Sequence, residues 1–433
     1  MPTDNPKSAL ALLPLGVYLL LFVGSGLYFQ TQGVDFAFYQ LSPVVAILPA
    51  IVLGLILAKQ PLNAALDTFM KGIGDNNIIA MCLIYLLAGA FAAVAKASGG
   101  VDATVALGLI LIPETLLVPG IFLISALIAT AMGTSMGTIA AVAPVALGLA
   151  QQTGLEPALL AGAVLSGAIF GDNLSIISDT TIAATRIQGA QMKDKFYENI
   201  RVALPAAFLA MLLFGYMGQI DAWANIAPQQ INMIKVLPYL SILILAISGL
   251  NVFLVLSLGI ILAGASSFAT NDYSLMQFGQ EIYDGFSNMQ EIFLLSMLVG
   301  GLAALMRQQG GLEWIITKIS NRIGHSKNPK AAELGIGALA ASTNLCIANN
   351  TVALIVAGPV AKQLAQQHNV SPRRAAATLD VFACIVQGLL PYGAQVLLIA
   401  SIFTLSPLVV VGYSWYCMIL TAVAVLAILL RQR

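Results

Sequence analysis

The chain has 433 residues, 59% of them hydrophobic and only 9% charged, with no net charge at neutral pH. Soluble domains carry roughly 25% charged residues, so a mean hydropathy of +0.91 excludes a soluble globular protein. A net charge of zero argues against nucleic acid as a partner.

Apolar runs of about 20 residues, the length that crosses a hydrocarbon core as helix, predict spans at 9–29, 42–58, 76–97, 157–184, 202–219, 236–250, 251–268, 288–306, 372–400 and 407–430. The first follows Lys7 and lacks a small-residue cleavage pattern, so it reads as a retained span, not a leader. Two further apolar stretches, 117–150 and 331–365, are interrupted midway by "GTSMGT" (133–138) and "STNLCIANNT" (342–351). Each is too long for one crossing and too broken for two, so both are expected to be re-entrant hairpins. The cysteines, Cys82, Cys346, Cys384 and Cys417, sit in apolar segments without CxxC spacing, which argues against a disulfide framework or zinc site. His325 and His368 fall in charged loops and read as solvated.

This layout puts 17 of the 19 Lys and Arg on one side, in loops 59–75, 185–201, 307–330 and 362–374 and at the two ends; only Lys96 and Lys235 fall outside. Loop 269–287 carries Asp272, Glu281 and Asp284 and no basic residue. By the positive-inside rule, both termini are expected in the cytoplasm. The halves also match. "GAFAAVAKASGG" (89–100) lies over "GGLAALMRQQGG" (300–311), and "APVALGLAQQTGLEP" (143–157) over "GPVAKQLAQQHNVSP" (358–372). The expected architecture is therefore an all-α polytopic membrane protein, ten transmembrane helices plus two re-entrant hairpins in a 5+5 inverted repeat. Its halves are 1–220 and 221–433, and this is a secondary-transporter plan.

Irregular polar backbone survives in lipid only where it lines a protein cavity. Two matched places fit: "GDNLSIISDTT" (171–181) and "QGLLPYGAQ" (387–395), where Pro391, Gly388 and Gly393 prevent a continuous helix. Oxygen donors there and at the hairpin tips suit a hard cation such as sodium. In half one they are Thr134, Ser135, Thr138, Asp172, Asn173 and Ser175; in half two, Asn344, Asn349, Asn350 and Thr351. Ser178, Thr180, Gln387 and Gly388 are assigned to substrate. Any single hydroxyl has an ordinary alternative, a bond to its own helix or a neighbour. Asp172, Asp179 and Asp380 are the candidate proton carriers, because burial disfavours a charged carboxyl and intramembrane acids mark proton relays. Asp179 also fits an interfacial anchor, and Glu291 and Glu333 fit helix starts.

The stretch "SGAIFGDNLSIISDTT" (166–181) resembles the Gly-Asp-x-x-Ser-x-x-Ser-Asp-Thr-Thr signature of the NhaC-type sodium/proton antiporter family, through Gly171, Asp172, Ser175, Ser178, Asp179, Thr180 and Thr181. The resemblance implies an inner-membrane carrier that uses sodium and protons as coupling ions and needs no cofactor. It further implies an elevator-like movement of hairpins and broken helices, in a homodimer. Asn173 departs from the family pattern, in which a basic residue is common; this leaves an amino-acid or organic-acid substrate as the alternative to sodium itself. An intramembrane aspartyl protease is a poorer reading. "KGIGDNN" (71–77) and "IYDGF" (282–286) hold its two half-motifs in reversed order. A channel would gain little from buried carboxylates.

Overall fold

The computed structural model describes residues 8–34, 37, 40–111, 113–219, 232–270, 273–324 and 328–430. Lys7, Asp272, His325, Lys327, Arg431 and Arg433 lie outside the described residues. The described residues are helical almost throughout, with no strand among them. Among the described residues, seven helical segments are long and apolar enough to cross a bilayer: Ala9–Phe29, Asn76–Ala97, Pro157–Gln188, Met192–Met217, Val252–Thr270, Gln290–Gln308 and Pro372–Phe403. The three other expected spans form Pro43–Ile56, Met233–Ile247 and, after a short turn of helix at Pro407–Gly412, Trp415–Leu430. These are 14, 15 and 16 residues long, less than the ~20 that a straight crossing needs. This is a multi-pass α-helical membrane protein.

Both expected hairpins are helix–turn–helix pairs, Leu117–Met132 with Ser135–Thr153 and Pro329–Ile347 with Asn350–Gln367. Each tip turns on a left-handed residue, Gly133 (φ 68°) in the first and Ala348 (φ 54°) in the second. Both long segments are broken where expected. Pro157–Leu174 gives way to Asp179–Gln188, and Pro372–Leu389 to Ala394–Phe403. These four helices match end for end at one displacement (157 to 372, 174 to 389, 179 to 394, 188 to 403), each 215 residues.

Four helices fall in segments expected to be loops: Leu62–Ile73, Gly100–Leu111, Leu275–Asn288 and Gly311–Gly324. A further correction concerns 185–201. Helix Met192–Met217 starts ten residues before the expected 202 and carries Lys193, Lys195 and Arg201 out of their loop. His368 is likewise not solvated; it is buried, and its Nδ1 lies 2.9 Å from the Leu364 carbonyl oxygen at the end of the second hairpin. Glu333, assigned to a helix start, is buried and accepts a bond from Thr378 at 3.3 Å.

The chain divides into two compact units, each drawing on both sequence halves. One contains Met1–Cys82, Ala183–Ala190 and Glu291–Val386. Its core joins the second hairpin to helix Pro372–Leu389 through small residues, among them Ala340, Ala357, Ala361 and Ala383. Small side chains allow such helices to approach closely where water supplies no driving force. The other contains Leu83–Ile182, Gln191–Gln290 and Gln387–Arg433. In it, helix Pro157–Leu174 lies hard against Leu117–Met132. A Cβ on Gly167 would meet the Phe122 carbonyl at 2.2 Å, and one on Gly171 the Ala126 carbonyl at 2.3 Å. An aromatic cluster of Phe122, Phe170, Phe214 and Tyr416 closes the same unit.

Candidate functional site at the first helix break

The half-helix Pro157–Leu174 starts on Pro157, whose missing N–H costs nothing at a first turn. It stops because Ser175 turns extended (ψ 136°) and folds its N–H back on the carbonyls of Gly171 and Asp172. The Asn173 carbonyl lies at the break and takes bonds from two side chains, Lys195 and Asn199.

Asp172 is 6% exposed and accepts a bond from Ser135 Oγ at 2.8 Å, the first residue after the hairpin tip. Gln395 Nε2, from the second broken helix, donates to the same hydroxyl at 3.2 Å. A carboxylate, a hydroxyl and an amide thus form one chain of polar groups within the unit. Asn173 is completely buried; its Nδ2 lies 3.4 Å from the Tyr416 hydroxyl, and Asn199 donates to its carbonyl at 2.9 Å. Tyr416 is held edge-on by Phe170, with ring centroids 5.5 Å apart.

The break itself is a web of hydroxyls. Thr181 Oγ1 donates to the Ser175 carbonyl at 2.7 Å. Ser178 Oγ donates to Thr181 Oγ1 at 2.9 Å and lies 3.1 Å from Thr180 Oγ1. Ser175 Oγ donates to the Thr130 carbonyl at 3.0 Å, which ties the break to the first hairpin. Ile176, Ile177 and Asp179 are exposed.

Lys195 is the largest departure from expectation. Expected in a basic loop, it is completely buried, and its Nζ donates to the Asn173 carbonyl at 2.8 Å and to Thr181 Oγ1 at 2.6 Å. Taking a charge out of water is costly unless it is paired and hydrogen-bonded, so a position like this one needs a reason.

The expected residues therefore divide. Asp172, Asn173, Ser135, Ser175, Ser178 and Thr180 gather around the first break. Thr138 instead bonds its own helix, donating to the Thr134 carbonyl at 3.0 Å, and Thr134 itself supplies no side-chain cap. Gly388 packs against Cys417, where a Cβ would lie 2.3 Å from the thiol sulfur, and Gln387 is half-buried one residue before it.

Asn344, Asn349, Asn350, Thr351 and Asp380 belong to the other unit. There Asn344 Nδ2 donates to Asn350 Oδ1 and to the Ala383 carbonyl, and Asn349 caps its helix by accepting from Val352 N at 3.0 Å. Thr351 is half-buried in the first turn, and Asp380 is completely buried on Pro372–Leu389. The second tip also borders a cavity of about 420 Å³, lined by Lys71, Asp75, Arg307, Glu313 and Asn349 among others. Lys195, Asn199, Gln395 and Tyr416 are the site residues the sequence reading missed. Only Gln395 lay inside a stretch that it had singled out.

One family model, described as the Na+/H+ antiporter family, matches residues 8–219 and again 191–432, between them almost the whole chain. The chain belongs to the Na+/H+ antiporter family. Its class of activity is secondary sodium/proton antiport. It is 23% identical over 423 residues to the Na+/H+ antiporter NhaC of Alkalihalophilus pseudofirmus, a match that covers 90% of this chain and 88% of that one. It is 21% identical to the malate-2H+/Na+-lactate antiporter of Bacillus subtilis, over 96% of this chain and 93% of the relative. It is also 21% identical to the arginine/ornithine antiporter ArcD of Halobacterium salinarum, over 92% and 87%.

Proposed function

We propose that this family member exchanges sodium for protons at the first helix break, with Asp172 as the group that the two cations share. The carrying observation is the buried chain Asp172–Ser135–Gln395. An ionised Asp172 and the Ser135 hydroxyl offer hard oxygens to sodium. A proton arriving on the same carboxyl removes the charge that holds the sodium. One carboxyl that takes either cation, but not both, couples the two flows without a second site. Ser178 and Thr180 belong to the hydroxyl web of the same break. Asp179 stands exposed at the start of the second half-helix and is a relay to the aqueous side.

Around this site we read an inverted repeat of five crossings and one hairpin per half, with both termini cytoplasmic in an inner membrane. The end-for-end match of the two broken helices and the double match of the family model support the repeat. Movement is elevator-like, by hairpins and broken helices carrying the site, and the family resemblance implies a homodimer.

The test uses purified full-length protein in liposomes loaded with a pH dye. A sodium jump should move protons with the native protein, and Asp172→Asn should abolish that signal with its melting temperature retained. Proton movement unchanged in Asp172→Asn would remove Asp172 from the mechanism. A second reading has its own support in relatives named for malate, lactate, arginine and ornithine exchange. In that reading a small organic or amino acid is the cargo. Labelled uptake of such acids, together with no sodium-driven pH change, would select it.

A further inference from the structure

The exchange step above makes no use of Lys195. This residue lies in the first turn of Met192–Met217, the end of a helix whose dipole disfavours a cation. Lysine is almost never fully buried unless it is paired. Here its ammonium reaches the Asn173 carbonyl at 2.8 Å and the Thr181 hydroxyl at 2.6 Å. Asn173 is the next-to-last residue of one half-helix and Thr181 stands in the first turn of the other, so a single ammonium bridges the break. The oxygens it takes, a main-chain carbonyl and a hydroxyl, are the kind that a sodium ion would use. The carboxylates on its own helix are Asp194 and Glu198, the latter 3.7 Å from Arg201, and those on the two half-helices it bridges are Asp172 and Asp179.

A broken helix does not in itself require such a cation. At the 215-residue displacement that relates the helix ends of the two breaks, the sequence has Val410 in place of Lys195 and Gln387 in place of Asp172. Pro391 and Gly393 interrupt that helix without any charge. Acid and lysine occur together at one break and are both missing from the other.

We propose that the Lys195 ammonium is a tethered cation that holds the carbonyl–hydroxyl side of the first break. It thereby confines transported sodium to the Asp172–Ser135 side and limits the break to one ion. Lys195 is a positioning residue, acting through Asn173 and Thr181. The inference rests on the reading that exchange runs through Asp172.

Equilibrium binding of radioactive sodium to full-length protein in detergent tests it, alongside exchange in liposomes. The native protein should bind one sodium per chain. Lys195→Met keeps the stem and loses the charge; it should bind two and lose exchange about 10–100-fold, the scale seen when a supporting contact is removed from an ion site. Lys195→Arg keeps the charge and should bind one and retain exchange. Should the Met variant not fold, Lys195→Gln takes its place with the same expectation. One sodium bound by the uncharged variant, or exchange within twofold of native, would overturn the proposal. Native protein that neither binds nor exchanges sodium would instead overturn the reading beneath it.

Discussion

Gly171→Ala tests whether helix packing, and not only chemistry, sets the site. The added Cβ would lie 2.3 Å from the Ala126 carbonyl oxygen and 2.6 Å from Ala129 Cβ, where ordinary contact begins near 3.4 Å. Neither neighbour is a flexible side-chain end, so Pro157–Leu174 and Leu117–Met132 must part locally by about an ångström, an overpacking that costs roughly 1–3 kcal/mol. Asp172 is the next residue. Its bond from Ser135 is 2.8 Å long, and a shift of about an ångström takes it beyond the roughly 3.5 Å at which a hydrogen bond is lost. The variant should therefore melt earlier than native protein in detergent. It should also need more sodium for half-maximal exchange, although no polar group has been removed. Gly108→Ala is the control. Nothing lies within 4 Å of its Cβ, and its helix gains about 0.5–1 kcal/mol from alanine. A Gly171→Ala protein with native melting and native sodium dependence would refute the link from helix contact to carboxylate.

Gln395→Leu removes the donor 3.2 Å from Ser135 Oγ; we expect sodium KM to rise about tenfold with little change in melting, read from the sodium dependence of exchange. Asn349→Ala removes the cap that accepts from Val352 N and should lower stability by about 1 kcal/mol. If exchange collapses in that variant while melting is unchanged, Asn349 belongs to an ion path and not to a cap.

Helix starts were legible where the chain writes them in proline, as at Pro157 and Pro372, and breaks where glycine, proline and hydroxyls interrupt apolar residues. Asp172 stood out for the same reason, as a carboxyl set in an apolar run. The four missed helices were lost to the criterion used. A search for ~20 apolar residues passes over Leu62–Ile73 or Gly311–Gly324, whose polar residues recur at helical spacing and leave one apolar stripe. Asn199 and Tyr416 carry no local signal at all, since they meet Asn173 only through packing of segments that are distant in the chain. Lys195 was misplaced by a sound rule wrongly extended. Counting basic residues assigns a side to a loop, but it cannot tell that one of them points back into the protein.

The buried Lys195 sets the first break apart from the second. Judged by Asn173 alone, the first break has no positive charge at that position. The fold supplies one, on the carbonyl of Asn173 itself, from a helix that begins nineteen residues further along the chain. The two halves correspond closely enough that Ala348 accepts at one hairpin tip the left-handed backbone Gly133 adopts at the other, at a cost of ~1–2 kcal/mol for a residue with a Cβ. Within that common frame the acid and the ammonium appear once. If both breaks carried ions, each would need its own charge to offset the cargo. A neutral second break instead keeps the geometry of the repeat while the coupling is done at one carboxyl, which is what exchange of one cation for another at a shared group requires.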